Sequence, residues 1–336
     1  MAGLAIAAAA WHIPERAIAV ADLPELAALP EVERETCLGL GIEQVPADDR
    51  LDSVELAVLA AERALARAGL EAGRLDALVL IEPRAPAALM ASEATRVQWR
   101  LGAARAVTFS VGGLGCASLS PALMAARGLL AANPDWTHVL VAHGSKPAAP
   151  CRRYRHPVSV SGDGGQALVL GRSGDMRVRD VLQETDGAYW DLFQVDYRRG
   201  PEERWAETCR DVPTYSFRLA METRARLRDL VGRLLRRNGL DQSAVAGYVC
   251  QNLSEAGLRF TEEALGVELA GACLANLRRH GHLGPIDVLL NLYAALERGE
   301  VPRSAPVVAI NVSPVAAWSV MLVEAGPPAA PADLEL

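Results

Sequence analysis

Two short segments carry residue types suited to covalent chemistry. In the first, Ser110-Val111-Gly112-Gly113-Leu114-Gly115-Cys116-Ala117-Ser118, a cysteine closes a glycine-rich turn between an apolar strand (Ala106 to Phe109) and an amphipathic helix (Leu119 to Ala132). Glycines let the backbone turn sharply there. A thiol at the head of a helix sits at the positive end of its dipole, which lowers its pKa and favours the nucleophilic thiolate. The competing reading is an inert core cysteine, because Cys is among the most buried residue types and five others occur, at positions 37, 151, 209, 250 and 273. In the second segment, Gly281-His282-Leu283-Gly284-Pro285-Ile286-Asp287, a histidine lies in a turn and an aspartate lies in the first turn of a helix opened by Pro285. Such a histidine is a general base for the Cys116 thiol or for an incoming hydroxyl or amine. Asp287 would accept a hydrogen bond from the other imidazole nitrogen and fix the tautomer. The plainer readings are a polar turn residue for His282 and a helix-dipole partner for Asp287.

Strand and helix signals alternate along the whole chain, which points to an α/β architecture. The two halves also repeat one another. Asp52 to Ala68 reads as a helix ending at Gly69-Leu70, followed by a strand Ala77 to Ile81; Phe217 to Asn238 reads as a helix ending at Gly239-Leu240, followed by a strand Val245 to Cys250. Further on, Ser118 to Ala132 is a helix leading to the strand His138 to Ala142, and Asp287 to Arg298 is a helix leading to the strand Pro306 to Ile310. A glycine-rich turn precedes each of these helices, at Gly112 to Gly115 and at Gly281 to Gly284. Ordinary α/β units share some of this punctuation, but four elements in matching order predict a duplication. Packing of the halves about a pseudo-twofold axis would bring the two glycine turns face to face, and with them Cys116, His282 and Asp287. The division expected is 1–174, a first half holding the nucleophile, 175–213, an insertion, and 214–336, a second half holding the histidine and aspartate.

Composition limits the other possibilities. A chain of 336 residues that is 51% hydrophobic supports a sizeable core. Six cysteines without a CxxC pair argue against a disulfide scaffold and against a zinc site. A net charge of −7 argues against nucleic acid as the main partner. The apolar start, Met1 to Ala10, lacks the basic flank and length of a signal peptide and reads as a first strand. No uninterrupted apolar run reaches membrane-spanning length, so a soluble cytoplasmic protein without membrane contact is expected. The tail Gly326 to Leu336, with Pro327 and Pro331, reads as a frayed terminus.

Three further features bear on function. Asp175 to Pro213 is rich in aromatics (Tyr189, Trp190, Phe193, Tyr197, Trp205) interspersed with charge, and reads as an irregular insertion that is either a lid over a substrate or a cap on the body. Met221 to Arg237 carries Arg224, Arg226, Arg228, Arg233, Arg236 and Arg237. A solvated face with ion pairs to Glu222 and Asp229 is preferred over a docking face for an acidic partner. His143 ends a strand near the expected site and could line it, whereas Asp163 in its Gly-rich turn reads as structural.

Taken together, these motifs resemble the β-ketoacyl-acyl-carrier-protein synthase III family. Gly112 to Ser118 resembles its cysteine elbow, Ser161-Gly162-Asp163-Gly164-Gly165-Gln166-Ala167 its FGDGAGA turn, and Arg279-His280-Gly281-His282 its RHGN segment. The match runs over nearly the whole chain. It implies a thiolase fold (α/β, a duplicated five-layer αβαβα architecture) and a homodimer. The departures are equally specific. The family's condensing enzymes use a Cys-His-Asn triad, but the stretch matching their histidine reads Val249-Cys250-Gln251-Asn252-Leu253-Ser254, and His282 stands where they have asparagine. Enolate stabilisation by two donors is thereby altered. A side branch of the family, acyltransferring and starter-selecting proteins of polyketide pathways, carries a Cys or Ser nucleophile with a GHxxxxD segment, and residues 281–287 fit it. The loop that supplies a second oxyanion N–H in the family reads Val312-Ser313-Pro314-Val315-Ala316 here; Pro314 has no N–H, which leaves Val315 as the candidate donor and Gln251 as a candidate lining residue. The early Gly-Ile-x-x-Arg segment of the family's coenzyme A clamp reads Gly41-Ile42-Glu43-Gln44-Val45, without the arginine. The resemblance therefore implies an acyltransferase that needs no cofactor of its own. Its donor would be an acyl-carrier-protein or coenzyme A thioester, and its acceptor a hydroxyl, amine or thiol on a small or carrier-bound molecule. Condensation to a new carbon–carbon bond and a non-catalytic partner subunit are the alternatives.

Overall fold

The protein was analysed as a computed structural model, which describes residues 3–326 apart from 89, 199, 202 and 203. The tail read as a frayed terminus therefore lies, beyond Gly326, outside the described residues, as does part of the charged stretch of the insertion.

Eleven strands matter for the site. β1 (Leu4–His12), β2 (Ala77–Ile81), β3 (Val107–Val111), β4 (Val139–Ser145) and β5 (Gly164–Gly171) come from the first half. β6 (Met176–Thr185) follows, then a hairpin of β7 (Phe193–Val195) and β8 (Glu207–Cys209). β9 (Gly247–Cys250), β10 (Pro306–Ser313) and β11 (Ala317–Ala325) complete the set. All but the hairpin join one sheet in the order β9-β10-β11-β6-β1-β5-β4-β2-β3.

That order contains the same arrangement twice. Within the first half β2 pairs parallel with β4, β4 antiparallel with β5, and β5 antiparallel with β1. Within the second, β9 pairs parallel with β10, β10 antiparallel with β11, and β11 antiparallel with β6. The halves meet through a short pairing of β1 with β6, Leu4 opposite Val178. Among the described residues, β3, which leads into the cysteine turn, is the one strand of this sheet without a counterpart in the other half.

The helices form layers around these sheets. α1 (Ser53–Arg67) and α2 (Glu93–Leu101) cover the outer face of the first half, and α4 (Ala220–Arg237) covers that of the second. Between the halves lie α3 (Leu119–Ala132), which touches β2, β4 and β6, and α7 (Asp287–Glu297), which touches β9 and β10 and sets Tyr293 edge-on to Trp11 of β1. Every residue of α7 but Tyr293 and Glu297 is buried, consistent with a central layer. The layered, duplicated α/β architecture implied by the resemblance is present.

Local sequence explains these elements. α1 starts with a capping box in which Asp52 accepts from the Glu55 N–H and Glu55 accepts from that of Asp52. Its small buried face, with Ala57, Ala60, Ala61 and Ala64, lies so close to β5 that a Cβ on Gly165 would fall 1.8 Å from the Leu56 carbonyl oxygen. The glycine pair after Asp163 is thus a helix-seating device. Asp163 itself is fully buried, and Arg153 grips it with two bonds of 2.8 and 3.1 Å while Lys146 sits at 3.2 Å, in keeping with a structural role.

Four expectations need correction. The segment 175–213 is not irregular throughout, since its first part is the sheet strand β6; alternation of buried and exposed residues there is masked by adjacent charges. The helix expected from Phe217 opens earlier, as a wider π turn over Thr214–Leu219, before α4 proper. The strand expected over Ala106 to Phe109 runs on to Val111, because it pairs in parallel register with β2 as far as Ile81. Finally, the helical stretch Gly115–Ala132 is long and apolar enough to cross a membrane; it is instead half-buried in the layer between the two sheet halves. On the arginine-rich helix α4, Arg226 pairs with Glu184 and Glu222, Arg233 with Glu184 and Asp229, and Arg237 with Asp180, so half of its six arginines are answered by nearby carboxylates.

Candidate active site

The two glycine turns meet. Cys116 lies in a 3₁₀ turn, Gly115–Ser118, that runs directly into α3. Gly115 has φ +51°, a left-handed conformation, and a Cβ on it would lie 2.8 Å from Ser313 Oγ. The residue before the thiol is therefore fixed by conformation and by contact. The opposite turn joins α6 (Gly271–His280) to α7. Its backbone is pinned to the segment before β5: His282 N–H donates to Val160 O at 2.9 Å, and Gly162 N–H donates to His282 O at 3.0 Å. Gln166, the last polar residue of the Asp163 motif, clamps the same turn. Its Nε2 donates to Leu283 O at 3.0 Å, and its Oε1 accepts from the Ile286 N–H at 3.1 Å.

A continuous relay results. Cys116 Sγ is 2.9 Å from His282 Nε2, and His282 Nδ1 is 2.5 Å from Asp287 Oδ2. The second carboxylate oxygen of Asp287 accepts the Leu283 N–H at 3.0 Å. Cys116 is 3% exposed, His282 and Asp287 not at all. Because the carboxylate is an acceptor, Nδ1 carries the hydrogen on that side, which leaves Nε2 to exchange a proton with sulfur.

Electrostatics favour an ion pair. Burial alone would raise the thiol's pKa, but the positive charge and hydrogen bond of His282, then Arg155 and Arg84, bring it down to about 7. Burial alone would lower that of His282, but the thiolate and Asp287 raise it to about 9. The pair is thus poised as thiolate and imidazolium near neutral pH. The other buried cysteines differ: burial pushes Cys37, Cys250 and Cys273 up to about 12, the signature of inert thiols.

The thiol opens into a cavity of about 280 Å³ lined by Glu82, Arg84, Gly112, His143, Arg155, Val195, Glu207 and His282, among others. Two of these come from the aromatic insertion: Val195 of β7 and Glu207 of β8 make the hairpin one wall of the cavity. His143 is there as expected. Its Nδ1 lies 3.0 Å from Ile81 O, so Nδ1 is the protonated nitrogen, and burial holds the ring neutral with a pKa of about 4. Its Nε2 is buried, without a hydrogen-bond partner.

Sequence reasoning missed Arg155. The side chain is 4% exposed, and its Nη1 donates to Cys116 Sγ at 3.9 Å. Glu207 pairs with it as an ion contact, Oε1 2.9 Å from Nε, and the Phe193 ring lies 5.3 Å from the guanidinium carbon. The only signal was a basic loop, Cys151-Arg152-Arg153-Tyr154-Arg155, whose pattern reads as surface.

Two sequence candidates stand elsewhere. Gln251 lines a neighbouring cavity of about 410 Å³ together with Cys250, Ser313 and Pro314. Its amide is bonded to β10, with Nε2 bonded to Val312 O and Oε1 accepting the Val312 N–H at 2.9 Å. One of its two Nε2 hydrogens is engaged there, and Gln251 is not among the residues around the Cys116 cavity. Val315 sits in the tight turn between β10 and β11, next to Ala316 at φ +53°, and is not among the residues around the Cys116 cavity. From that loop it is Ser313 that reaches the cysteine turn, with a buried Oγ that has no hydrogen-bond partner.

Comparison with known proteins places this site in a family context. Over 329 residues the chain is 26% identical to the β-ketoacyl-[acyl-carrier-protein] synthase III of Ruegeria pomeroyi, a match covering 96% of this chain and 99% of that one. Among solved structures it superposes on the 3-oxoacyl-(acyl carrier protein) synthase III of Pseudomonas aeruginosa with a TM-score of 0.78 (20% identity, 98% of this chain and 100% of that one). It superposes on ChlB3, an acyltransferase, with a TM-score of 0.83 (19% identity, 97% and 99%). No protein-family model matches the chain. The chain has the thiolase fold and is similar over nearly its whole length to synthase III proteins.

Proposed function

We propose that this thiolase-fold, synthase III-like protein is an acyltransferase that works through an acyl-Cys116 intermediate. The observation that carries the reading is the buried relay Cys116–His282–Asp287, at 2.9 and 2.5 Å, in place of a thiol flanked by two hydrogen-bond donors. Its proton economy suits transfer. The Cys116 thiolate attacks the donor thioester carbonyl, and the new C–S bond forms as the carbonyl electron pair moves to oxygen. Collapse of that intermediate breaks the donor's C–S bond, and the departing thiolate takes the proton from His282. With the thiolate charge gone, the largest influence raising the His282 pKa is lost, and the imidazole becomes a base. It then accepts the proton of an incoming hydroxyl, amine or thiol. Attack on the acyl-cysteine transfers the acyl group and restores the ion pair. Asp287 holds the ring and its tautomer in both halves of the cycle.

The surroundings favour the same reading over condensation. Gln251 lines a neighbouring cavity with its amide bonded to Val312, and neutral His143 presents a lone pair, the wrong polarity for a malonyl carboxylate but a match for a hydroxyl or amine hydrogen. The runner-up, decarboxylative condensation, draws on Arg155, whose charge near the sulfur is one an enolate would also find favourable. A non-catalytic subunit role finds no such support, since an intact thiolate–imidazolium pair is a costly thing to bury without use.

The donor in this reading is a carrier-protein or coenzyme A thioester, as the names of its relatives suggest, in polyketide or other secondary metabolism and in the cytoplasm. Acyl transfer is redox-neutral and needs no cofactor beyond the donor's own thioester. A homodimer belongs to the same proposal: β3, which leads into the cysteine turn, is an edge of the sheet with Val107 about half exposed. Intact-mass measurement after incubation with a panel of acyl-carrier-protein and acyl-coenzyme A thioesters tests the reading. An acyl adduct that disappears in Cys116→Ala is expected; no adduct with any donor would leave the non-catalytic reading standing.

A further inference from the structure

The loop expected to complete an oxyanion site does not do so, since Pro314 has no N–H and Val315 lies outside the Cys116 cavity. A tetrahedral intermediate on Cys116 still places a full negative charge on an oxygen bonded, through one carbon, to Sγ. Stabilising that charge is commonly a dominant part of acyl-transfer catalysis. Two fixed positive charges, Arg84 and Arg155, line this cavity, and of the two it is Arg155 that reaches the sulfur.

We propose that Arg155 is a catalytic residue, its guanidinium supplying the charge that holds first the Cys116 thiolate and then the oxyanion formed on it. Nη1 stands 3.9 Å from Sγ, too far for a strong bond to sulfur but suited to a carbonyl oxygen projecting from the acyl carbon into that gap. The side chain cannot swing away easily. Glu207 pairs with it as an ion contact, Oε1 2.9 Å from Nε, and the Phe193 ring backs the guanidinium at 5.3 Å. Glu207 is itself engaged by Arg84 at 3.4 Å, so its charge is shared between two arginines and Arg155 is not neutralised outright. Glu207 and Phe193 both come from the β7–β8 hairpin, which makes them positioning residues for Arg155. The proposal rests on the acyltransferase reading for the second of Arg155's tasks but not for the first.

The test separates the two. Titrating Cys116 by the pH dependence of its alkylation with iodoacetamide reads the thiolate alone. The groups facing it are His282, Arg155, Arg84, Glu82, Glu207 and His143, and all but the varied ones are left in place. In Arg155→Gln the thiol pKa is expected to rise by about one to two units, the effect of losing an opposite charge at this range. Acylation by the donor that labels the wild type is expected to slow about 10²–10³-fold. Arg155→Lys is expected to recover most of the pKa but not the acylation rate, because an ammonium lacks the planar fork that Glu207 and Phe193 orient. If Arg155→Gln is poorly folded, the charge-balanced pair Arg155→Met with Glu207→Gln replaces it; because a negative charge goes with the positive one, a smaller rise in thiol pKa is expected there, with the same loss of acylation rate. An unchanged thiol pKa together with acylation within about threefold of wild type would overturn the proposal. A raised pKa with acylation that matches wild type once the thiol is fully ionised would overturn the oxyanion role. Absence of any adduct on the wild type would instead sink the acyltransferase reading, and the alkylation titration would still decide Arg155's hold on the thiolate.

Discussion

Replacing Asp287 by asparagine tests the relay at its most constrained point. Asp287 is fully buried, with Oδ2 2.5 Å from His282 Nδ1 and Oδ1 accepting the Leu283 N–H at 3.0 Å. An asparagine fits the space but can satisfy Leu283 only with its oxygen, which turns its NH₂ toward the imidazole. Nδ1 must then accept, the hydrogen moves to Nε2, and the tautomer facing sulfur becomes a poor proton acceptor. A charge-assisted hydrogen bond is also lost, worth roughly 1.5–3 kcal/mol, or about one to two pKa units on His282. Since its pKa stands at about 9 and that of Cys116 at about 7, such a fall brings the two together and removes the pH window in which thiolate and imidazolium coexist. Acylation monitored by rapid-quench intact mass is expected to drop on the order of 10²–10⁴-fold in Asp287→Asn, with an unchanged circular dichroism spectrum. Its falling alkaline limb should shift toward neutrality. Acylation within about threefold of wild type, with that limb in place, would refute the relay and leave Asp287 a helix-dipole residue.

Other expectations follow from single features. In the wild type, acylation should rise with pH through about 7, as the thiolate forms, and fall through about 9, as the imidazolium is lost; a flat profile across that span would contradict the ion pair. Gly115→Ala places a side chain at φ +51° against Ser313, so a stability loss of about 1–2 kcal/mol by thermal melting and slower alkylation of Cys116 are expected. Arg153→Met leaves the buried Asp163 with Lys146 as its one remaining cationic partner among the described residues, which should cost about 3 kcal/mol in a denaturant melt without changing the thiol pKa.

The elements that position the site were readable because glycine, proline and apolar spacing mark turns and strands locally. The exact strand Ala77–Ile81, the helix Leu119–Ala132 and the two facing turns all follow from such marks. Cys116, His282 and Asp287 were readable for the same reason, each sitting beside punctuation that only a turn or helix start requires. Arg155 was not. Its burial depends on Glu207 and Phe193 folding back from a hairpin far along the chain, and nothing in its own loop announces that partner. Gln251 failed in the opposite direction: its position at the end of β9 was right, but the parallel register of β9 against β10 brings Val312 to its amide, and the side chain lines a neighbouring cavity instead of that of Cys116. Likewise the Asp163 motif was legible as a turn, whereas the clamp of Gln166 on the histidine turn depends on the second half of the chain.

The central claim, that acyl-Cys116 discharges to a heteroatom, is tested most directly by a chase. The enzyme is loaded with a labelled acyl group from whichever thioester gives the intact-mass adduct, freed of donor, and divided between malonyl-carrier protein and a panel of hydroxyl and amine acceptors. The account predicts loss of the label to an ester or amide in the second arm, with no carbon dioxide released in the first and with discharge abolished in His282→Ala. Carbon dioxide release with a β-ketoacyl product would contradict it.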